Sequence, residues 1–419
     1  MMAETLDSLE TRPHAERERD LMERLPLLVA QAQSAPGWAR ILSGVDAARI
    51  NSREMLAQLP VTRKSDLKAL QAQERPFGGL NSTPVAKLGR IFMSPGPIFD
   101  PEGRSIDWWR FSRPMYAAGV RPGSLVQNCF SYHFTPAAFM VEGGAARIGC
   151  TVIPAGAGQT ELQVQAMAEL RPDTYIGTPS FLKIIIEKAA EMGADISSVQ
   201  RAMIGAEALP ESLRQWFADH GVPQVIQTYA SADIGSIAYE TRSNGKLNPG
   251  MVLDEEVLLE IVRPGSGEPV APGEVGEVVV TLFNPDYPLI RFATGDLSAV
   301  LSNAEASPCG RTNTRIKGWL GRADQTTKVR AMFVHPSQVH EITRRHPGMA
   351  KARLVVSGKI AEEVMTLHCE TDDPALRQQS AEIIATIRDI TKLRGEVLFA
   401  PRGSLPNDGK IIDDVRDYS

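Results

Sequence analysis

Tyr287-Pro-Leu-Ile-Arg-Phe-Ala-Thr-Gly-Asp296 is an apolar run that ends in Thr-Gly-Asp. A carboxylate fixed just past a strand end can accept hydrogen bonds from both hydroxyls of one ribose. Gln227-Thr-Tyr229-Ala-Ser231-Ala-Asp233 offers a ring to stack on a base, a hydroxyl, and a carboxylate with the hard oxygens that Mg2+ prefers. Ile204-Gly205-Ala206-Glu207 ends a β-type run in small residues, at the sheet edge where open α/β folds bind ligands. Ile91-Phe-Met-Ser94-Pro-Gly96-Pro-Ile-Phe-Asp100 is a loop whose backbone N–H groups could face a phosphate. Leu405-Pro-Asn-Asp-Gly-Lys410 presents one lysine on a turn near the end of the chain. Singly, each segment reads as an ordinary turn or a solvated charge; their order along the chain points to a nucleotide site.

These segments need a scaffold, and the hydrophobic pattern supplies one. Residues from about Leu6 to Leu70 read as helices, with Ala15 to Gln33 amphipathic and Ser65 capping the helix that follows the Pro60 break. From Arg90 to about Gly310, short β-rich runs alternate with amphipathic helices, the order expected of a parallel sheet with crossover helices. Val257-Leu-Leu-Glu-Ile-Val and Glu277-Val-Val-Val-Thr-Leu flank a Pro-Gly-Ser-Gly turn and predict an antiparallel hairpin. From Gly321 onward a small α+β unit is expected, with strands near Ala352–Val356, Val364–Glu370 and Glu396–Phe399 and a helix from Pro374 to about Ile390.

Composition narrows the function. A chain of 419 residues, 43% of them hydrophobic, is long enough for two or three domains with sizeable cores. A net charge of −5, with no basic run interleaved with aromatics, argues against nucleic acid as a partner. No stretch reaches the length of a membrane span, and the acidic N-terminus lacks an apolar core segment, so no membrane partner and a cytoplasmic location are expected. Cys129, Cys150, Cys309 and Cys369 form no Cys-x-x-Cys pair, and reduced thiols are expected. His335 and His340 are five apart and do not share a helix face, so they are not read as metal ligands.

The order of these segments resembles the adenylate-forming enzymes, and within them the phenylacetate:CoA ligase branch of aryl-CoA ligases. The resemblance runs through Leu59-Pro-Val-Thr-Arg-Lys-Ser-Asp-Leu67, Thr151-Val-Ile-Pro-Ala-Gly-Ala-Gly-Gln-Thr160, Thr178-Pro-Ser-Phe, Gly205-Ala-Glu207, Pro288 to Asp296, Gly321-Arg-Ala-Asp324, Phe333-Val-His-Pro-Ser-Gln338 and Gly409-Lys410. It implies an α/β fold with a large N-terminal domain, 1–320, of mixed and mainly parallel sheets with crossover helices plus a β-rich subdomain. Residues 1–75 form its helical layer, and 321–419 form a small mobile α+β lid. The implied reaction is ATP-dependent activation of a carboxylic acid to an acyl adenylate, then transfer to coenzyme A, with Mg2+ as cofactor and a homodimer as the assembly.

On this resemblance Asp296 takes the ribose hydroxyls, Tyr229 stacks on adenine, Gly205, Ala206 and Glu207 line the adenine slot, and Arg322 contacts ribose or phosphate. Ser94, Gly96 and Ser231 serve the phosphates and Asp233 the Mg2+. Lys410 reaches the oxygen bridging the carboxylate and the α-phosphate. Asp324 is the hinge, and Arg330 and Ala331 border the pantetheine path. Tyr132, His133, Phe134, Ala155 and Gly156 wall an acid pocket suited to a flat ring.

Departures from the family pattern fall on the chemistry. Two prolines remove N–H donors from the phosphate loop, and Asp100 and Glu102 place negative charge where the family has a lysine-bearing loop. Arg104 is a candidate for the missing positive charge. Ala232 lacks the hydroxyl expected on the α-phosphate, Ala331 replaces a glycine, and Cys309 stands alone where some relatives carry a zinc cluster, so no zinc is expected. Two further readings follow: an adenylyltransferase with another acceptor, as in the deazaflavin-coenzyme adenylyltransferases, or a nucleotide- or acyl-ligand-binding relative without turnover.

Overall fold

Leu125–Asn128, Thr151–Ile153, Thr174–Gly177, Arg201–Ile204 and Gln224–Ser231 are short, and they pair in parallel from one edge to the middle of an eight-stranded sheet. The structure is a computed structural model that describes residues 4–94, 97–301, 307–323, 325, 327–330, 332–334, 336–359, 362–406 and 410–416. Two compact units divide the chain, Met1–Leu320 and Gly321–Ser419.

In the first unit the helices Ala137–Ile148, Thr160–Leu170, Pro179–Met192 and Glu211–Asp219 make the crossovers between the parallel strands. Thr178 shows how sequence sets a boundary: its hydroxyl accepts the Phe181 N–H at 3.3 Å, and Pro179 occupies the first helical position, where no N–H is needed. The sheet continues beyond Gln224–Ser231 through Gly235–Tyr239, Met251–Leu253 and Arg315–Ile316, all antiparallel.

A second sheet has the order Thr62–Arg63, Leu289–Ser298, Gly276–Leu282, Val257–Val262. Its last two strands are the antiparallel pair the turn sequence predicts. The short strand from the N-terminal layer instead joins in parallel, with Thr62 opposite Phe292 and Arg63 opposite Ala293. The fold is thus mixed α/β with several mixed sheets, and the run of consecutive parallel strands belongs to the larger sheet. Arg90–Ser94 and Ile98–Glu102 form a separate antiparallel hairpin.

The N-terminal layer packs its long helix His14–Gln33 through Leu21, Leu25, Leu28, Val29 and Ala32, and ties it down by the buried Arg17–Glu255 pair at 2.8 Å. One expectation here fails. Ser65 does not cap the following helix: Lys64–Asp66 is a single 3-10 turn, Leu67–Gln73 starts from Asp66 without a side-chain cap, and the Ser65 hydroxyl points to the Asp66 carboxylate at 3.4 Å. That tight turn presents Lys64 to Asp233, and the local capping preference gives way to the long-range ion pair.

The second unit has a four-stranded sheet in the order Glu396–Ala400, Val364–Glu370, Lys351–Ser357, Ile412–Asp414. Pro336–Arg345, Pro374–Gln378 and Ser380–Thr391 cover it, with Val339, Ile342, Leu354, Leu367, Ile383 and Ile387 in the core. The expected single helix from Pro374 is broken at Gln379, which leaves helical geometry at ψ 19°. Among the described residues no helix is long and apolar enough to cross a membrane.

Candidate active site

The strand Leu289–Ser298 is fixed from within before it presents any functional group. Tyr287, Leu289, Ile290 and Phe292 are buried. Arg291 is also buried and runs sideways, donating to Glu260 at 3.0 Å and to the carbonyls of Ala57 at 2.7 Å, Leu59 at 2.6 Å and Gly267 at 2.7 Å. One charged residue in an apolar strand therefore locks the N-terminal layer to the second sheet. Further along, the Thr294 hydroxyl donates to the Val278 carbonyl at 3.1 Å and accepts the Asp296 N–H at 3.1 Å, which fixes the turn at Gly295.

Both carboxylate oxygens of Asp296 are engaged. Tyr229 donates its hydroxyl to Oδ2 at 2.9 Å, and Trp319 donates its indole N–H to Oδ1 at 3.1 Å. Gly205, Ala206 and Glu207 lie at the carboxyl end of Arg201–Ile204, next to the strand of Tyr229. The Gln227 amide donates to the Glu207 carbonyl at 3.0 Å, and the Glu207 carboxylate accepts the Ser180 N–H at 3.3 Å. A side chain at Gly205 would meet Thr228 at 3.2 Å, so this close passage favours glycine. The Ser231 hydroxyl accepts the Ile234 N–H at 3.3 Å and shapes the turn that carries Asp233.

Negative charge concentrates behind the hairpin. Asp233 is buried and pairs through Oδ2 with Lys64, while its Oδ1 has no hydrogen-bond partner among the described residues. Asp100 is 1% exposed, and neither of its oxygens meets hydrogen-bond geometry, although Ser94 and Asp233 lie close. Burial, and then the charge of Asp233, hold the Asp100 carboxyl well above its ordinary range, against the opposing pull of Lys64. The Tyr287 phenol, buried with no partner in the described residues, is raised by burial and then by Asp100 and Asp233.

The second loop carboxylate is neutralised on the spot: Glu102 accepts from Arg90 at 2.8 Å. Arg104 does not supply the missing charge, because its guanidinium donates to the Lys87 carbonyl at 3.1 Å. The cation comes from Lys64, which lies in the segment Leu59–Leu67 that carries part of the resemblance. Position along the chain gave no sign of its partner. Gln71 was missed as well: its side-chain amide makes two 2.8 Å hydrogen bonds with the Phe99 backbone, one in each direction, and holds the hairpin against Leu67–Gln73. Ser94 is buried and donates to the Ile98 carbonyl at 3.3 Å, closing the hairpin on itself.

On the acid side, Tyr132 donates to Glu142 at 2.6 Å and accepts from the Asn128 amide at 2.9 Å, and the Asn128 carbonyl accepts the Gly156 N–H at 2.9 Å. Tyr132 and Gly156 are thereby brought together. Burial and the Glu142 carboxylate raise the Tyr132 phenol, so at neutral pH it stays a donor. Ala155 caps the strand end through its carbonyl, which accepts the Gln163 amide at 3.2 Å. Phe134 is 57% exposed, stacks edge-on with His133 at 4.6 Å, and accepts the Met93 N–H on its carbonyl at 2.9 Å, which joins this loop to the hairpin.

In the second unit, the Lys410 ammonium pairs with Asp413 at 2.8 Å, and the Arg330 guanidinium donates to the Glu363 carbonyl at 3.3 Å. Arg322 lies in the two-residue strand Gly321–Arg322 and is partly buried. Gly96, Asp324 and Ala331 lie outside the described residues.

A family model described as AMP-binding enzyme matches residues 112–282. The phenylacetate-coenzyme A ligase of Thermus thermophilus is 29% identical over 391 residues, which is 90% of this chain and 86% of that one. The phenylacetate-coenzyme A ligase of Escherichia coli is 28% identical over 350 residues, 80% of this chain and 78% of its own. A crystal structure of 2-hydroxyisobutyryl-CoA ligase in complex with 2-HIB-AMP and CoA shares the fold, with a TM-score of 0.80 at 23% identity over 98% of this chain and 92% of that one. The family match over the central sheet and relatives spanning most of the chain agree in making this chain similar to AMP-binding, adenylate-forming enzymes, and the shared fold extends over nearly all of it.

Proposed function

We propose that this protein is an AMP-forming acid:CoA ligase that activates a carboxylic acid, aromatic by its likeness to the phenylacetate-coenzyme A ligases. In the first step a carboxylate oxygen attacks the α-phosphorus of ATP, the bond to the β-phosphate breaks, and pyrophosphate leaves with its electron pair. In the second, the coenzyme A sulfur attacks the acyl carbon, the bond to the AMP oxygen breaks, and AMP departs.

Asp296, oriented by Tyr229, is the acceptor for the ribose diol, and Gly205 to Glu207 form the rim for adenine. That arrangement at the carboxyl edge of the parallel sheet is the observation that carries the proposal. Asp233 offers an unpartnered hard oxygen to the Mg2+ that accompanies a nucleotide, and such an ion supplies charge neutralisation at the phosphates. Arg322 serves ribose or phosphate. Lys410 stabilises the charge that develops at the bridging oxygen, and rotation about Asp324 exchanges it for the pantetheine path at Arg330 and Ala331.

Incubation with ATP and a panel of aromatic acids is expected to give acid-dependent pyrophosphate exchange, which Lys410→Ala abolishes while AMP still binds. Added coenzyme A is expected to yield a thioester; accumulation of adenylate in its presence would instead indicate another acceptor. One observation favours a second reading, nucleotide binding without turnover: the hairpin carries buried Asp100 where a triphosphate needs positive charge. AMP binding with no exchange across the whole panel would establish that reading.

A further inference from the structure

We infer that Trp319 is a specificity-determining residue of the nucleoside site, resting on the nucleotide reading above: its indole N–H holds the place of a ribose hydroxyl on Asp296 and yields that place when the nucleotide binds. The geometry is direct. Asp296 Oδ2 is taken by a buried donor from the neighbouring sheet, Tyr229 at 2.9 Å, whereas Oδ1 is taken by Trp319 at 3.1 Å. A ribose presents two hydroxyls to one carboxylate, so one of them must take over Oδ1.

The two protein donors differ in what it costs to remove them. Tyr229 is packed in the core, and its hydroxyl also lies 3.3 Å from that of Thr294. Trp319 is 38% exposed and is the most exposed of the five tryptophans, with Trp38, Trp108 and Trp109 buried and Trp216 half-buried. Moving this indole off the carboxylate forfeits one charge-assisted hydrogen bond and less packing than would be lost at the core ring of Tyr229. Its backbone neighbours are well held: the Gly318 carbonyl accepts from Ser298 at 2.7 Å and the Leu320 N–H donates to Leu297 at 2.9 Å. The side chain can therefore swing without unravelling the segment.

Trp319→Phe keeps a ring and deletes the donor. Titration calorimetry with AMP is expected to show about fivefold tighter binding in this variant than in the wild type, since the ribose no longer displaces a competitor. With 2′,3′-dideoxy-AMP, which has no diol to place on Asp296, the two proteins are expected to bind alike. In the wild type, saturation with AMP is expected to shift the emission of the exposed tryptophan, and the variant to lack that change. AMP binding that is unchanged or weaker in Trp319→Phe overturns the inference. So does an equal gain for both nucleotides, which would mean that the indole only crowds the site, and so does a silent emission spectrum in a wild type that binds AMP. If neither protein binds AMP, the nucleotide reading itself fails and takes this inference with it.

Discussion

Tyr229 and Asp296 join the two larger sheets of the first unit through one 2.9 Å hydrogen bond, from a phenol at the end of the parallel array to a carboxylate on the strand Leu289–Ser298 of the second sheet. The bond both orients the carboxylate and satisfies a buried hydroxyl, so the Tyr229 ring and the Asp296 carboxylate move as one piece.

Tyr229→Phe retains the ring and removes that bond. AMP affinity is expected to fall by about fivefold, because Asp296 loses its orienting partner, while the melting temperature changes little. Calorimetric titration beside a thermal melt checks it; unchanged affinity would show that Asp296 is held by its turn alone.

Asp100 makes the stability of the fold depend on pH. Burial favours the neutral acid, so the folded protein keeps a proton there that the unfolded chain releases above the usual carboxylate range near 3.8. The folded state then binds more protons than the unfolded one, and stability present at low pH is lost as pH climbs toward the raised native value. Asp100→Asn removes this titration. It is expected to melt above the wild type at about pH 8, with the gap closing by about pH 4. A gap that stays constant with pH would falsify the assignment of a buried neutral acid.

Lys64 neutralises a carboxylate that has no water to turn to. Lys64→Met is expected to cost about 2 kcal/mol, less than for a fully buried pair because the lysine side chain is 29% exposed. Adding Asp233→Asn should restore much of the loss. Urea denaturation of the two single variants and the double variant measures the coupling, and strictly additive costs would rule the pair out.

Gln71 clasps the hairpin by both of its amide atoms. Gln71→Ala leaves the Phe99 N–H and carbonyl without their partner and is expected to destabilise the protein by about 2 kcal/mol. Hydrogen exchange should quicken first in Ile98–Glu102; uniform protection in the variant would argue against the clasp.

The parallel strands, the hairpin after Val257 and the run into Asp296 were all legible in the sequence, because each depends on short-range periodicity and turn chemistry. Asp296 and Tyr229 could be picked out for the same reason, as polar groups at the ends of apolar runs. Ser65 misled, since a favourable local cap was outweighed by an ion pair formed with a residue far along the chain. Lys64, Gln71 and Trp319 carried no periodic signal; each acts on a group brought near by tertiary contact. Asp100 was legible as an intrusive charge, but whether it faced a phosphate or the interior depended on the hairpin register, which puts it opposite Phe92.

The parallel pairing of Thr62–Arg63 with Phe292–Ala293 has a consequence for how the site comes into being. Lys64 leaves the ribosome long before the strand it lies against, and Asp233, its counter-charge, is made in between. Trp319 emerges last. The central span 112–282 carries the parallel sheet and Tyr229. It holds neither the hairpin, nor Lys64, nor Asp296. Grafting that span into a relative would therefore transplant the scaffold and Asp233 but leave Asp296, Lys64 and Asp100 behind.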